Sequence, residues 1–330
     1  MSDMTSTSLP ALPGARLAPR LKAAAAIFAV LAALPPVFAA MGEPYLTSIA
    51  TRMMVYAIAA LSLDLILGYG ALVSFGHAAY LGIGAYAVVG LSRNGIDEIW
   101  LQMAAGIGAS AVFAAITGAI SLRTRGIYFI MITLAFGQMA YFFFVSLSAW
   151  GGDDGTALAA RSTVFGQDWL GDDLSLFYLV LALLALCFAL LHAITRSRFG
   201  RVLVGARENE TRMQAIGFTP FPYQLAAYVI SGCICSVAGV LLANSTEYVS
   251  PDFMTWHRSG ELIVMLILGG IGTLTGALVG ALMTIGLEEG LARAWDHWRL
   301  IFGFLLLMVV LYSPGGLSAL ADKLGLGARK

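Results

Sequence analysis

The chain is written in long apolar runs separated by short polar breaks. Runs with little or no charge fall near 23–41, 46–67, 71–91, 101–121, 127–150, 174–194, 221–243, 262–287 and 300–317. Most reach the roughly 20 residues that an α-helix needs to cross a bilayer. Backbone surrounded by lipid must satisfy its own hydrogen bonds, so these runs are predicted to be helices and the fold all-α. The run 262–287 is the long one, and Gly269, Gly270 and Gly272 stand at its centre. Irregular backbone at membrane depth is tolerated where protein or a cavity surrounds it. The pattern therefore predicts a polytopic membrane protein of about eight transmembrane helices plus a Gly-rich broken re-entrant pair.

Polar breaks set the expected orientation. Arg16, Arg20 and Lys22, the turn at Arg123 and Arg125, the loop 196–219 and the tail with Lys323, Arg329 and Lys330 carry thirteen basic residues. The opposite side carries six: Arg52, Arg93, Arg161, Arg258, Arg293 and Arg299. The acidic loop 151–173 also lies there. By the positive-inside rule the basic side faces the cytoplasm. A broken pair at 262–287 brings the C-terminal tail back to that side. The layout is then a cytoplasmic tail 1–22, a membrane domain 23–317 and a cytoplasmic tail 318–330, with both termini cytoplasmic in a multi-pass inner membrane protein. The first run has a VFA sequence at 37–39 that could end a signal peptide, but Pro35-Pro36 interrupts it. It is read as an uncleaved span.

Composition agrees with the pattern. Hydrophobic residues make up 59% of the chain and charged residues 12%, against about 25% charged in soluble domains. The formal net charge is zero, so nothing points to nucleic acid. Cys187, Cys233 and Cys235 all stand in apolar runs and read as core residues, not a metal site. Only Lys22, Lys323 and Lys330 are lysines, and none belongs to a phosphate-binding loop. The histidines are scattered and no nucleophile elbow is present. The chain is expected not to be an enzyme and to need no cofactor of its own. Gly68-Tyr69-Gly70 has the spelling of a potassium filter, but Ile66-Leu67 precede it where that filter has Thr-Val.

One polar segment stands out: GRVLVGARENETRMQAIGFTPF, residues 200–221. Within 201–216, Val202, Ala206, Met213 and Ile216 fall on one helical face, and Asn209 interrupts that stripe. Glu208 and Arg212 are spaced as an i, i+4 pair. Gly217 suits a helix C-cap, and Pro220 and Pro222 forbid continuation. The segment reads as a short amphipathic helix on the cytoplasmic surface. A lipid anchor favours Lys and Arg alone on its polar face. The mixture of Glu, Asn and Arg suits a protein partner.

The chain resembles the LivM-like permease subunits of branched-chain amino acid ABC importers. The resemblance covers most of 46–317 and is carried by GYGALVSFGHAAYLGIGAYA (68–87), RGIYFIMITLAFGQ (125–138), WGGDDG (150–155), the 200–231 stretch, YVSPDF (248–253) and LGGIGTLTGALVGA (268–281). The resemblance implies that Arg207, Glu208, Asn209, Glu210 and Gly217 lie in the cytoplasmic loop that docks on an ATPase subunit. It also implies a second, LivH-like permease subunit, two ATP-binding subunits that hold the ATP, and a periplasmic substrate-binding protein. Relatives usually have Asn where this chain has Asp64, and tend to have a basic residue near Gln224.

Glycines and buried polar residues suggest the pathway. Gly272, Gly276 and Gly280 form a small-xxx-small row, as do Ala78 and Gly82, which packing alone explains equally well. Polar groups in lipid must face protein or water. On that ground Ser74, His77, Gly84, Gln138, Gly269, Gly270 and Gly272 are the candidate lining. For His77 a hydrogen-bonded packing role stands beside a ligand contact. For Asp64 an interfacial position stands beside a pathway role. The expected cargo is a branched-chain or similar small amino acid, with urea or short amides as the alternative. An ion-coupled secondary transporter, or a passive channel, would leave the polar loop without a task.

Overall fold

The computed structural model describes residues 17–41, 45–295, 297–312 and 316. The tails at 1–16 and 317–330, with Arg16, Lys323, Arg329 and Lys330, lie outside the described residues. The described helices are α1 (Leu17–Met41), α2 (Tyr45–Leu67), α3 (Ala78–Ser92), α4 (Ile99–Ser121), α5 (Ile127–Ser146), α6 (Asp173–Arg196), α7 (Arg198–Glu208), α8 (Glu210–Ala215), α9 (Pro220–Thr246), α10 (Trp256–Gly269), α11 (Leu274–Ala294) and α12 (Trp298–Tyr312). Six of them, α2, α4, α5, α6, α9 and α11, are long and apolar enough to cross a membrane. Shorter apolar helices lie in α1, α3 and α12. α1 runs on through Pro35 and Pro36.

α2 and α9 form the centre, and both are buried over most of their length. α9 packs along α2, α3 and α4, while α6 and α11 close the far side of α2. Small residues allow close approach at these crossings. A Cβ on Gly84 would strike the Ser236 carbonyl, and one on Gly239 the Leu81 carbonyl. α4 and α5 leave many apolar side chains exposed, including Ile116, Met131, Phe142 and Phe143. This is the surface a lipid-facing helix requires.

The bundle has two ends. At one, Thr156–Ala157 pairs antiparallel with Tyr248–Val249. Arg161 locks this end, binding Asp173 at 2.6 Å and Glu247 at 2.8 Å, and the Leu170 carbonyl at 3.1 Å. The other end carries α7 and α8.

The structure breaks the chain twice. The run 71–91 was expected as one span, but it is helical only from Ala78, and residues 68–77 are irregular backbone in which Gly68, Gly70, Ser74, Gly76 and His77 are buried. The physical reason is close approach: a Cβ on Gly76 would strike the Thr133 carbonyl. The freed amides find side chains instead. Phe75 N donates to Thr133 Oγ1 at 3.3 Å and Ala78 N to Ser259 Oγ at 3.0 Å. The second break is the expected one. Between α10 and α11 the chain turns through Gly270 (φ 113°) and Gly272 (φ 78°), a region that only glycine enters freely. α10 and α11 then lie antiparallel, with Gly269 against the Gly276 carbonyl and Gly280 against the Met265 carbonyl. The returning arm, α11, has the length of a full crossing. Gly316 lies against Gly270 and Ile267, which brings the end of the described chain to the α7 side.

Gly280→Leu should therefore force α10 off α11 and cost about 1–3 kcal/mol. The check is the thermal unfolding midpoint of the purified chain. Gly290→Leu, where a Cβ meets nothing within 4 Å, should leave that midpoint unchanged.

Candidate functional site

The site grows from the end of α2. Asp64 is fully buried, and its Oδ1 accepts a hydrogen bond from Gly272 N at 2.7 Å. This single bond joins the α2 terminus to the α10–α11 turn. Water does not reach Asp64, contrary to the interfacial reading; the carboxylate serves as an internal staple. Arg207, from α7, donates through Nη1 to the Gly68 carbonyl, and its charge acts on Asp64. Both breaks in the helical pattern thus meet the polar loop at one junction.

The loop is built by local capping. Ser197 caps α7 by accepting from Gly200 N at 3.4 Å. The single helix expected over 201–216 is divided at Asn209, which is extended (φ −160°). Its Oδ1 instead caps α8 by accepting from Arg212 N at 2.8 Å, since Asn is a strong N-cap and a weak helix interior residue. The expected stripe divides with it. Val202 and Ala206 are buried, while Ile216 is 62% exposed. Glu208 and Arg212 now stand on either side of the break, and the observed ion pair is Glu210 with Arg125 at 2.7 Å. α8 ends on Gly217 (φ 90°), with Gly217 N bonded to Gln214 O at 3.0 Å and Phe218 N to Met213 O at 3.0 Å. This is the Schellman arrangement that favours glycine. Pro220 opens α9. A groove of about 310 Å³ lies between residues 70–73, the α4–α5 turn, Ala206–Glu210 and Gln224.

Candidate pathway residues are not gathered in one wall. Ser74 and His77 are fully buried in the first break. His77 Nε2 and Ser62 Oγ share a hydrogen bond of 2.9 Å, and Tyr80 meets the ring edge-on at 5.5 Å, the geometry of a packed interior histidine. Gly84 sits in the α3–α9 crossing and Gly269 in the α10–α11 crossing. Gly270 and Gly272 form the turn at the α7 end. Gln138 is half-buried on α5.

Sequence reasoning missed a second polar cluster. Arg52 and Arg258 were counted as loop charges, yet they lie within α2 and α10. Arg52 approaches Glu288 of α11 at 3.9 Å, and Arg258 binds Glu261 at 2.8 Å. The available signal was the position of Arg52 inside an apolar run whose only other charged residue is Asp64. Among the described residues no group of three or more His, Cys, Asp or Glu side chains could hold a metal.

This architecture defines a multi-pass α-helical membrane protein of the permease class. Residues 45–311 match the family described as the permease component of branched-chain amino acid transport systems, and the chain belongs to that family. It is similar to the high-affinity branched-chain amino acid transport permease LivM of Escherichia coli (27% identity) and of Salmonella typhimurium (26%), each match covering 94% of this chain and 77% of the relative. It is also similar to LivH of Salmonella typhimurium, at 25% identity over 79% of this chain and 90% of the relative. No solved structure matches. The chain is a permease subunit of an ABC importer, part of a multi-subunit transporter in the inner membrane, and not an enzyme.

Asp64→Ala should leave the buried Gly272 amide unpaired, at a cost of about 1–3 kcal/mol. Asp64→Asn keeps an acceptor and should cost less. Thermal unfolding together with hydrogen exchange at the Gly272 amide separates the two.

Proposed function

We propose that this chain carries branched-chain or similar small amino acids inward, driven by ATP hydrolysis in partner subunits. It pairs with a second, LivH-like permease, two ATP-binding subunits and a periplasmic substrate-binding protein. The names of its relatives support the cargo. The observation that carries the reading is the α7–α8 loop. Residues 207–219 are largely exposed, and Ile216, Phe218 and Phe221 stand open beside the charges of Arg207, Glu208 and Glu210. An exposed apolar patch rimmed by charge is the mark of a protein partner. Arg207, Glu208, Asn209, Glu210 and Gly217 are the proposed contact with the ATP-binding subunit, and Arg207 carries its movement to Gly68. Gly270 and Gly272 act as the hinge of the α10–α11 pair. Ser74, His77, Gly84 and Gly269 support that movement from inside the bundle, and Gln138 borders the pathway.

In this reading the α7 end and both termini face the cytoplasm. Reporter fusions after Asp172 and after Gly327 should then give opposite readings. Two periplasmic readings would overturn the orientation.

Gly217→Asp and Glu208→Lys should reduce recovery of the ATP-binding subunit and abolish uptake while the chain remains inserted. Gly217→Asn, which tolerates the left-handed conformation, should retain both. Normal uptake and subunit recovery in the first two variants would sink the docking assignment.

A further inference from the structure

The charged cluster near the β-paired end has no part in docking. Arg52 and Tyr56 come from α2, Arg258 and Glu261 from α10, and Thr284 and Glu288 from α11. Arg52 lies about 10 Å along the helix from Tyr45, and Glu288 about 9 Å from the end of α11. Both therefore stand about two turns inside the ends of helices long enough to cross the membrane. The antiparallel register of α10 and α11, fixed by Gly269 on Gly276 and Gly280 on Met265, brings Arg258 and Glu261 level with Thr284 and Glu288. Met53 against Gly286 sets α2 at the same height. Tyr56 stands one turn from Arg52 on α2 and is buried.

These side chains are not sealed. Those of Arg52, Arg258, Glu261 and Glu288 are 38%, 28%, 46% and 28% exposed. Charges at membrane depth do not face lipid; they meet a water-filled cavity or a partner. One turn below Glu288, the Thr284 hydroxyl is buried and has no hydrogen-bond partner among the described residues. A buried polar group without a partner is open to a water or a ligand, since leaving it unpaired costs free energy. The Arg52–Glu288 contact, at 3.9 Å, is beyond hydrogen-bond distance, so both groups keep free valence.

We propose that Arg52, Tyr56, Arg258, Glu261, Thr284 and Glu288 line the outer half of the translocation pathway and form a subsite for the zwitterionic head of an α-amino acid. The inference rests on the importer reading and narrows its cargo. The guanidinium of Arg52, with Arg258 behind it, takes the carboxylate. Glu288 takes the ammonium group, with Glu261, already paired to Arg258 at 2.8 Å, beside it. A neutral urea or amide would satisfy neither charge, and a site built to pair such groups discriminates against a ligand that lacks them. The subsite recognises only the head shared by all α-amino acids, so side-chain choice is made elsewhere.

The test uses the complete transporter in intact cells. Arg52→Cys, Glu261→Cys and Glu288→Cys are each exposed to membrane-impermeant cationic and anionic methanethiosulfonates. Phe142→Cys on lipid-facing α5 and the wild-type chain are the controls. The three cluster positions should react and the controls should not. Leucine should slow the reaction at least tenfold, and urea should have no effect. Glu288→Gln should lower uptake about tenfold with unchanged recovery of the complex. Absence of labelling at all three positions overturns the pathway. Labelling blocked by urea, or by no α-amino acid, overturns the zwitterion subsite. A wild-type complex that takes up no leucine, yet is protected by another α-amino acid, overturns the branched-chain cargo and upholds the subsite.

Discussion

The bond from the Gly272 amide to the Asp64 carboxylate holds the two broken parts of this bundle together. A chain that interrupts its helices at membrane depth frees backbone donors and acceptors, and in that setting each must be paired. Asp64 supplies the acceptor for the Gly272 amide at 2.7 Å, while its second oxygen has no hydrogen-bond partner among the described residues. A buried carboxyl group is itself costly; Arg207, which binds the Gly68 carbonyl, acts on it from α7. The three parts depend on one another. Without Arg207 the Gly68 carbonyl loses its donor. Without Asp64 the turn at Gly272 loses its tie to α2.

Most of the helical plan was legible in the sequence because lipid imposes a local rule. Apolar length decides whether a run can cross, and α2, α4, α6 and α9 begin and end within a few residues of the limits set by hydropathy alone. The break at 68–77 was not legible by that rule. Apart from Ser74 and His77 its residues carry little polarity, and hydropathy does not separate helix from irregular backbone packed in protein. Gly68, Gly70 and Gly76 were the signal, but they are spread over several residues. At 269–272 three glycines within four positions made the break visible. In the polar loop, Asn209 was seen to interrupt the stripe, and the structure shows why: it is the cap of a new helix.

The candidate pathway was less legible because glycine serves two physical ends. It lets helices touch, and it exposes backbone to a solute. Gly84, Gly269 and Gly280 each lie where a Cβ would strike a facing carbonyl, so contact between helices accounts for all three. His77 Nε2 is paired with Ser62 and its ring packs on Tyr80, while Nδ1 has no hydrogen-bond partner among the described residues. The charges of Arg52, Arg258 and Glu288 were hidden for the opposite reason. Each stands near one end of an apolar run, where a residue count treats it as part of a loop. Only the packing of α10 on α11, and of both on α2, shows that they share one height.

The two polar assemblies occupy opposite ends of the same three helices. α2 carries Arg52 toward one end and Asp64 toward the other, about 18 Å apart along the axis. α11 begins beside Gly272 and carries Glu288 near its far end, and α10 joins the turn to Arg258. A helix transmits displacement along its axis because its backbone bonds hold its length, and packed interiors resist continuous deformation. A pull on Arg207 thus bears first on Gly68 and the Asp64–Gly272 bond. The glycine turn is the compliant point in this assembly, so α10 and α11 can tilt against α2 there. Such a tilt changes the separation of Arg52 and Glu288, whose contact is already loose. Under the proposed docking and pathway roles, the bond at one end and the weak pair at the other link the loop to the pathway wall.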